Sequence, residues 1–210
     1  MTHFVGIKIK TLTTNTYLKM KNLLILSLFL FVASFAYSHD FKKEVAAAKT
    51  SYKSGKLEDA HFALQQTLQA LDITIGKEVL KLFPEKLESL PVNIKDDNVA
   101  GNVSFVGATI HRSYGTDPKK AEVEIVNNSP MLGTLNAFLT SPLLAGLGND
   151  GKSKVLKIQG FKSRLTKEDQ SELGKPSYKL EMPMSNALIT LHVNNTTESE
   201  ILAMANTIPL

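Results

Sequence analysis

Between residues 101 and 128, apolar and polar positions alternate twice around a cluster of turn formers. Val106, Ala108, Ile110 and Tyr114 interleave with Gly107, Thr109, His111 and Ser113. After Gly115-Thr116-Asp117-Pro118 the alternation resumes, with Ala121, Val123 and Ile125 on one side and Lys120, Glu122 and Glu124 on the other. A period of two with one apolar side predicts two antiparallel strands that cover a core on one face and meet water on the other. Arg112 falls on the apolar side, between Ile110 and Tyr114. Either the register slips near the strand end, or a guanidinium is partly buried there beside an acidic partner. In the second case Arg112 is a candidate ligand anchor.

Downstream, Ser129-Pro130 is a helix start, with serine as N-cap and proline at the first helical position. Met131, Leu132, Leu135, Phe138 and Leu139 give that helix an apolar stripe, which Ser141-Pro142 interrupts. Leu143, Leu144 and Leu147 follow among glycines, as a loop that either tucks under the sheet or stands out from it. Extended runs at 155–158 and 161–165 flank the tight turn or bulge Gln159-Gly160. Two more, around Leu180 and over 187–193, flank Ser185-Asn186. Thr197 with Glu200 is a capping box that opens a final helix carrying Ile201, Leu202, Met204, Ala205 and Ile208.

Upstream the period changes to that of a helix. Phe41, Val45, Ala48 and Tyr52 recur at three and four, then Leu57, Ala60, Leu64, Leu68, Leu71 and Ile75 after Ser54-Gly55. Gly55 is a C-cap, and Pro84 ends the second run. The pattern predicts a helical hairpin over 39–84, which packs on the sheet or presents its apolar stripe to a partner. A polar linker over 85–101 and an α+β domain over 102–210 follow. That domain is expected to hold an antiparallel sheet of about five or six strands with two packed helices.

Residues 23–35 form an apolar run too short to span a membrane, preceded by Lys19 and Lys21 and followed by small residues at 34, 36 and 38. This is the layout of a secretory signal peptide over 1–38, with cleavage after Ala36 or Ser38 and a better start at Met20 than at Met1. The expected address is periplasmic or secreted, with no transmembrane span in the mature chain. Export also alters the charge balance. The chain has 24 Lys and Arg against 20 Asp and Glu, and Lys8, Lys10, Lys19 and Lys21 all precede His39 with no acidic residue among them. The mature part is therefore neutral, which removes the electrostatic basis for nucleic-acid binding. There is no cysteine, so neither a lipid anchor at the cleavage site nor a disulfide can form.

The succession of strands, Ser-Pro helix, strand pair, Tyr178-Lys179-Leu180 strand, 187–193 strand and capped closing helix resembles the Mog1/PsbP-like fold. The chain is also similar to exported bacterial proteins that join a helical N-terminal part to a segment like Val123-Glu124-Ile125 followed by Asn128-Ser129-Pro130. The resemblance implies an accessory or binding protein, and it brings no catalytic residue and no cofactor with it.

The residues themselves give few chemical leads. With no cysteine and no Gly-x-Ser-x-Gly elbow, nothing marks a nucleophile. No histidine pair has metal-ligand spacing. The alternation does bring His111, Glu122, Glu124 and His192 to the polar sheet face, as low-specificity candidates beside Arg112. Three readings remain. The first is a non-catalytic interaction or accessory protein with a protein partner in the cell envelope. The second is a carrier of a small apolar ligand or lipid under the Leu143, Leu144 and Leu147 loop. The third is a metal-dependent enzyme on the polar face.

Overall fold

A computed structural model of the chain describes residues 41–101, 107–141, 152–168 and 174–210. Contacts divide the chain into Met1–Ser38 and His39–Leu210, and every described element belongs to the second unit. The expected leader and the Leu143, Leu144 and Leu147 loop lie outside the described residues.

Helix α1 (Phe41–Lys53) ends in a Schellman motif. Gly55 takes φ +73°, its N–H bonds the Tyr52 carbonyl, and the Lys56 N–H bonds that of Ser51. Helix α2 (Leu57–Leu82) packs along α1 and stops where Phe83 turns extended before Pro84. The next residues, expected as a linker, instead build structure. Strands β1 (Lys86–Leu87) and β2 (Leu90–Pro91) pair with each other, a 3-10 turn follows at Ile94–Asp96, and β3 (Asn98–Ala100) joins the main sheet as its edge.

Strands β4 (Thr109–Thr116), β5 (Lys119–Asn127), β6 (Ser153–Ile158), β7 (Phe161–Glu168), β8 (Ser177–Met184) and β9 (Ala187–Val193) complete a seven-stranded antiparallel sheet in the order β3-β4-β5-β9-β8-β7-β6. The seventh strand, beyond the five or six expected, is β3. Helix α3 (Met131–Thr140) follows β5, and α4 (Glu198–Thr207) follows β9. The class is α+β, with a large antiparallel sheet and four helices among the described residues.

The cross-strand register fixes two unlike faces. Ile125–Ile189–Met182 and Val123–Leu191–Leu180 are apolar rows. Helix α4 buries them under Ile201, Met204 and Ala205, together with Phe83, Leu87 and Leu90 from the chain entering the sheet. Thr197 caps α4 from its side chain, and Glu200 reaches back to the Thr197 N–H, the capping box expected there. The opposite face carries polar rows. Helix α3 covers part of it by packing Leu135 and Leu139 on Leu188.

Helix α2 packs internally through Leu80, partly buried Val79 and a set of small residues, and leaves most of its large apolar residues outside. Ala60, Ala63, Thr67, Ala70 and Gly76 are buried, whereas Leu57, Leu64, Leu68, Leu71 and Ile75 are exposed. The two sets are read from one periodic pattern, yet Leu68 lies roughly 140–160° around the helix from Ala63 and Ala70. Small residues allow close approach. A Cβ on Gly76 would stand 2.4 Å from Val99 Cγ1 of β3, and one on Gly101 would stand 2.6 Å from the Gln69 carbonyl.

Candidate functional site

The polar sheet face holds the candidate side chains on adjacent strands. His111 of β4 stands opposite Glu124 of β5, and Glu122 of β5 stands opposite His192 of β9. Pairing thus brings all four to one face. His111 and His192 remain two strand spacings apart, about 10 Å between their backbones, and β5 lies between them. His192 turns away from His111, with Nε2 3.0 Å from Glu168 Oε2 of β7. Among the described residues, no three His, Asp or Glu side chains come together as a metal cluster.

Glu122 is the electrostatic centre of this face. Its ion pair with Lys120 Nζ at 2.9 Å holds its carboxyl below the usual range, and His111 and His192 push the same way against partial desolvation. Lys120 in turn is raised by Glu122 and also approaches Asp96 Oδ2 at 3.8 Å. From there a chain of hydrogen bonds runs inward. The Ser113 hydroxyl donates to Asp96 Oδ2 at 2.6 Å, and Asn93 Nδ2 donates to Ser113 Oγ and to the Gly115 carbonyl. Beside this network an open cleft of about 610 Å³ is lined by Asn93, Lys95, Asp96, Thr116, Asp117 and Lys120 among others. Asn93 and Asp96 lie in the stretch expected to be a linker. The only sequence signal for them is the paired acids Asp96-Asp97 directly before an extended run.

Arg112 lies on the apolar face, in register with Val123, and no register slip occurs. Its Nε and Nη2 donate to the two oxygens of Asp97 at 2.9 and 2.6 Å, and Nη1 donates to the Leu80 carbonyl at 2.8 Å. Its charged end also lies 5.9 Å from the Phe83 ring centre. Three elements, β4, the turn before β3 and the end of α2, meet at this one guanidinium. Its partners are all internal.

A second surface of different character lies on the helices. Leu57, Leu64, Leu68, Leu71, Ile75 and Leu82 run along α2, the least exposed at 40% and the most at 69%. Next to them a groove of about 310 Å³ is lined by Val45, Ala48, Lys49, Tyr52, Ala60 and Leu64. An apolar stripe about 39 Å long on a 26-residue helix is far more than the single exposed leucines normal on a protein surface. Among the described residues no helix is long and apolar enough to cross a membrane. The chain matches no family model, no curated protein and no solved structure.

Proposed function

We propose that the protein is an exported, non-catalytic interaction or accessory module of the cell envelope. Its helical hairpin, α1 and α2, engages a protein partner, and its sheet domain is of the Mog1/PsbP-like kind. The observation that carries this reading is the exposed apolar stripe of α2. Each leucine or isoleucine moved from water into an interface contributes about 1.5–3 kcal/mol, so five leucines and Ile75 on one helix form a surface that gains by being covered. The leader-like composition of residues 1–38 supports export. The strand, capping box and closing helix around Thr197 support the fold likeness. At the edge cleft Asn93, Ser113, Asp96 and Lys120 are tied into one network, and Arg112 is held by internal partners.

A photo-reactive residue placed at Leu68, with a control at Glu124 on the sheet face, tests the reading in the exporting cell. Protein adducts from position 68 and none from position 124 are expected. Adducts from the sheet face alone, or from neither position, would overturn it.

A further inference from the structure

The exposed residues of α2 follow a heptad spacing. Leu57, Leu64 and Leu71 fall seven apart, Leu68, Ile75 and Leu82 fall seven apart, and the two series interleave at three and four. Two polar residues, His61 and Glu78, occupy the remaining positions of the same stripe. Over 26 residues this is more than three heptads, enough to form a knobs-into-holes seam rather than a chance apolar patch.

The seam is complementary to itself in one orientation. Turned end for end about a point between Leu68 and Leu71, it places Leu68 against Leu71 of a second copy and Leu64 against Ile75. Leu57 then meets Leu82, and His61 meets Glu78. Both polar residues therefore find each other, once at each end of a two-fold interface, and every other layer is apolar on apolar. A parallel arrangement would instead set Glu78 against Glu78 and His61 against His61. Like residues facing across a two-fold axis are what a parallel dimer requires and what these charges oppose. Glu78 already holds Lys81 at 2.6 Å within its own helix, and both side chains are mostly exposed, so that pair leaves the carboxylate open to a second donor.

We propose that α2 is a homodimerisation helix, docking antiparallel on α2 of a second copy with His61 facing Glu78. This rests on reading the helical layer as the interaction surface, and it names the partner. Internal packing leaves the seam clear. The strip of Ala60, Ala63, Thr67 and Ala70 is buried on one flank, and Gly76 and Leu80 are buried on another.

Sedimentation of the chain purified from the exporting cell should give a dimer, and His61→Glu should weaken it roughly tenfold or more by setting two carboxylates together. Adding Glu78→Lys to His61→Glu restores opposite charges and should restore the dimer, which a mere folding defect would not do. Orientation is read from thiols, because the chain has no cysteine of its own. Chains carrying His61→Cys and Glu78→Cys should cross-link when mixed. Chains carrying His61→Cys alone should not, since their thiols would lie about 26 Å apart. A monomer at high concentration, a charge swap that fails to rescue, or cross-linking of His61→Cys with itself overturns the proposal. Adducts at Leu68 with a different protein in the cell, beside a monomer in vitro, would overturn self-pairing and leave the interaction reading standing.

Discussion

Arg112 grips Asp97 with two of the three nitrogens of its guanidinium, Nε and Nη2, and the two side chains are 11% and 16% exposed. The third nitrogen holds the last turn of α2 through the Leu80 carbonyl. A charged pair this far out of water has recovered only part of what its desolvation costs, so its value lies in what happens when one partner is lost.

Arg112→Ala strands the Asp97 carboxylate and leaves the Leu80 carbonyl with only the Phe83 N–H, and it should cost about 3–5 kcal/mol. Combining Arg112→Met with Asp97→Leu removes both charges and should bring the protein back to within about 1 kcal/mol of the parent. Urea unfolding midpoints of the three chains measure this. A single variant as stable as the parent would show that the pair is not a tie.

The second buried carboxylate is expected to be more forgiving. Glu181 is paired to Arg164 at 2.6 Å beneath the Phe138 ring, and Lys179 Nζ stands 3.6 Å from its other oxygen. After Arg164→Ala a cation therefore remains within reach. The loss should be about 1–3 kcal/mol, and the ranking Arg112→Ala worse than Arg164→Ala is the outcome to check under identical conditions.

Gly76 gives a prediction whose sign depends on a neighbour. In an open helix, alanine in place of glycine would stabilise by about 1 kcal/mol. Here the added methyl would meet the stiff Val99 side chain at 2.4 Å and Ile110 Cγ1 at 3.2 Å. Gly76→Ala should therefore cost about 1–3 kcal/mol. In a Val99→Ala background the same change should become neutral or favourable. A thermodynamic cycle of the four chains isolates the coupling, and its absence would mean that α2 can move off the sheet freely.

These contacts mark where the sequence was readable and where it was not. The alternation around His111 and Glu122 carried enough information to set strand positions, faces and the odd placement of Arg112. Near Arg112 the alternation leaves the register open between a slip and a buried guanidinium, and the pairing resolves it without a slip, which keeps Tyr114 and Val123 out of water. The partner of Arg112 was hidden. Asp97 lies among two- and three-residue strands next to Pro84 and Pro91, too short to leave a period. Likewise, Gln159-Gly160 was legible as a tight turn, and both residues do adopt positive φ. That the Gln159 amide also donates to the Ile208 carbonyl at 2.8 Å depended on where α4 would end in space. For α2, periodicity located the apolar stripe but not its direction. A repeat of leucines is the same whether a core covers it or a second molecule does, and only the small-residue strip beside it shows which flank is used inside.

The closing helix carries the pH dependence. Glu200 accepts from Lys119 Nζ at 2.8 Å and from the Thr197 N–H at 2.8 Å, with the Thr196 hydroxyl at 3.0 Å. The Lys119 bond first, and the Thr197 backbone bond next, hold its carboxyl down to about 2 from an ordinary 4.5. A carboxylate whose folded pKa is depressed binds its proton more readily when unfolded. Its contribution is therefore full above the unfolded value and falls away as pH drops from about 4.5 towards 2. With the side chain 36% exposed, water screens much of that effect, leaving about 1 kcal/mol for this capping box. Glu200→Gln should lower stability by that amount at neutral pH and leave the protein nearly equal to the parent near pH 2. Urea midpoints for both chains between those pH values give the difference directly. A gap between the two chains that stays constant down to the acid end would mean that the Glu200 charge contributes nothing to holding α4 on the sheet.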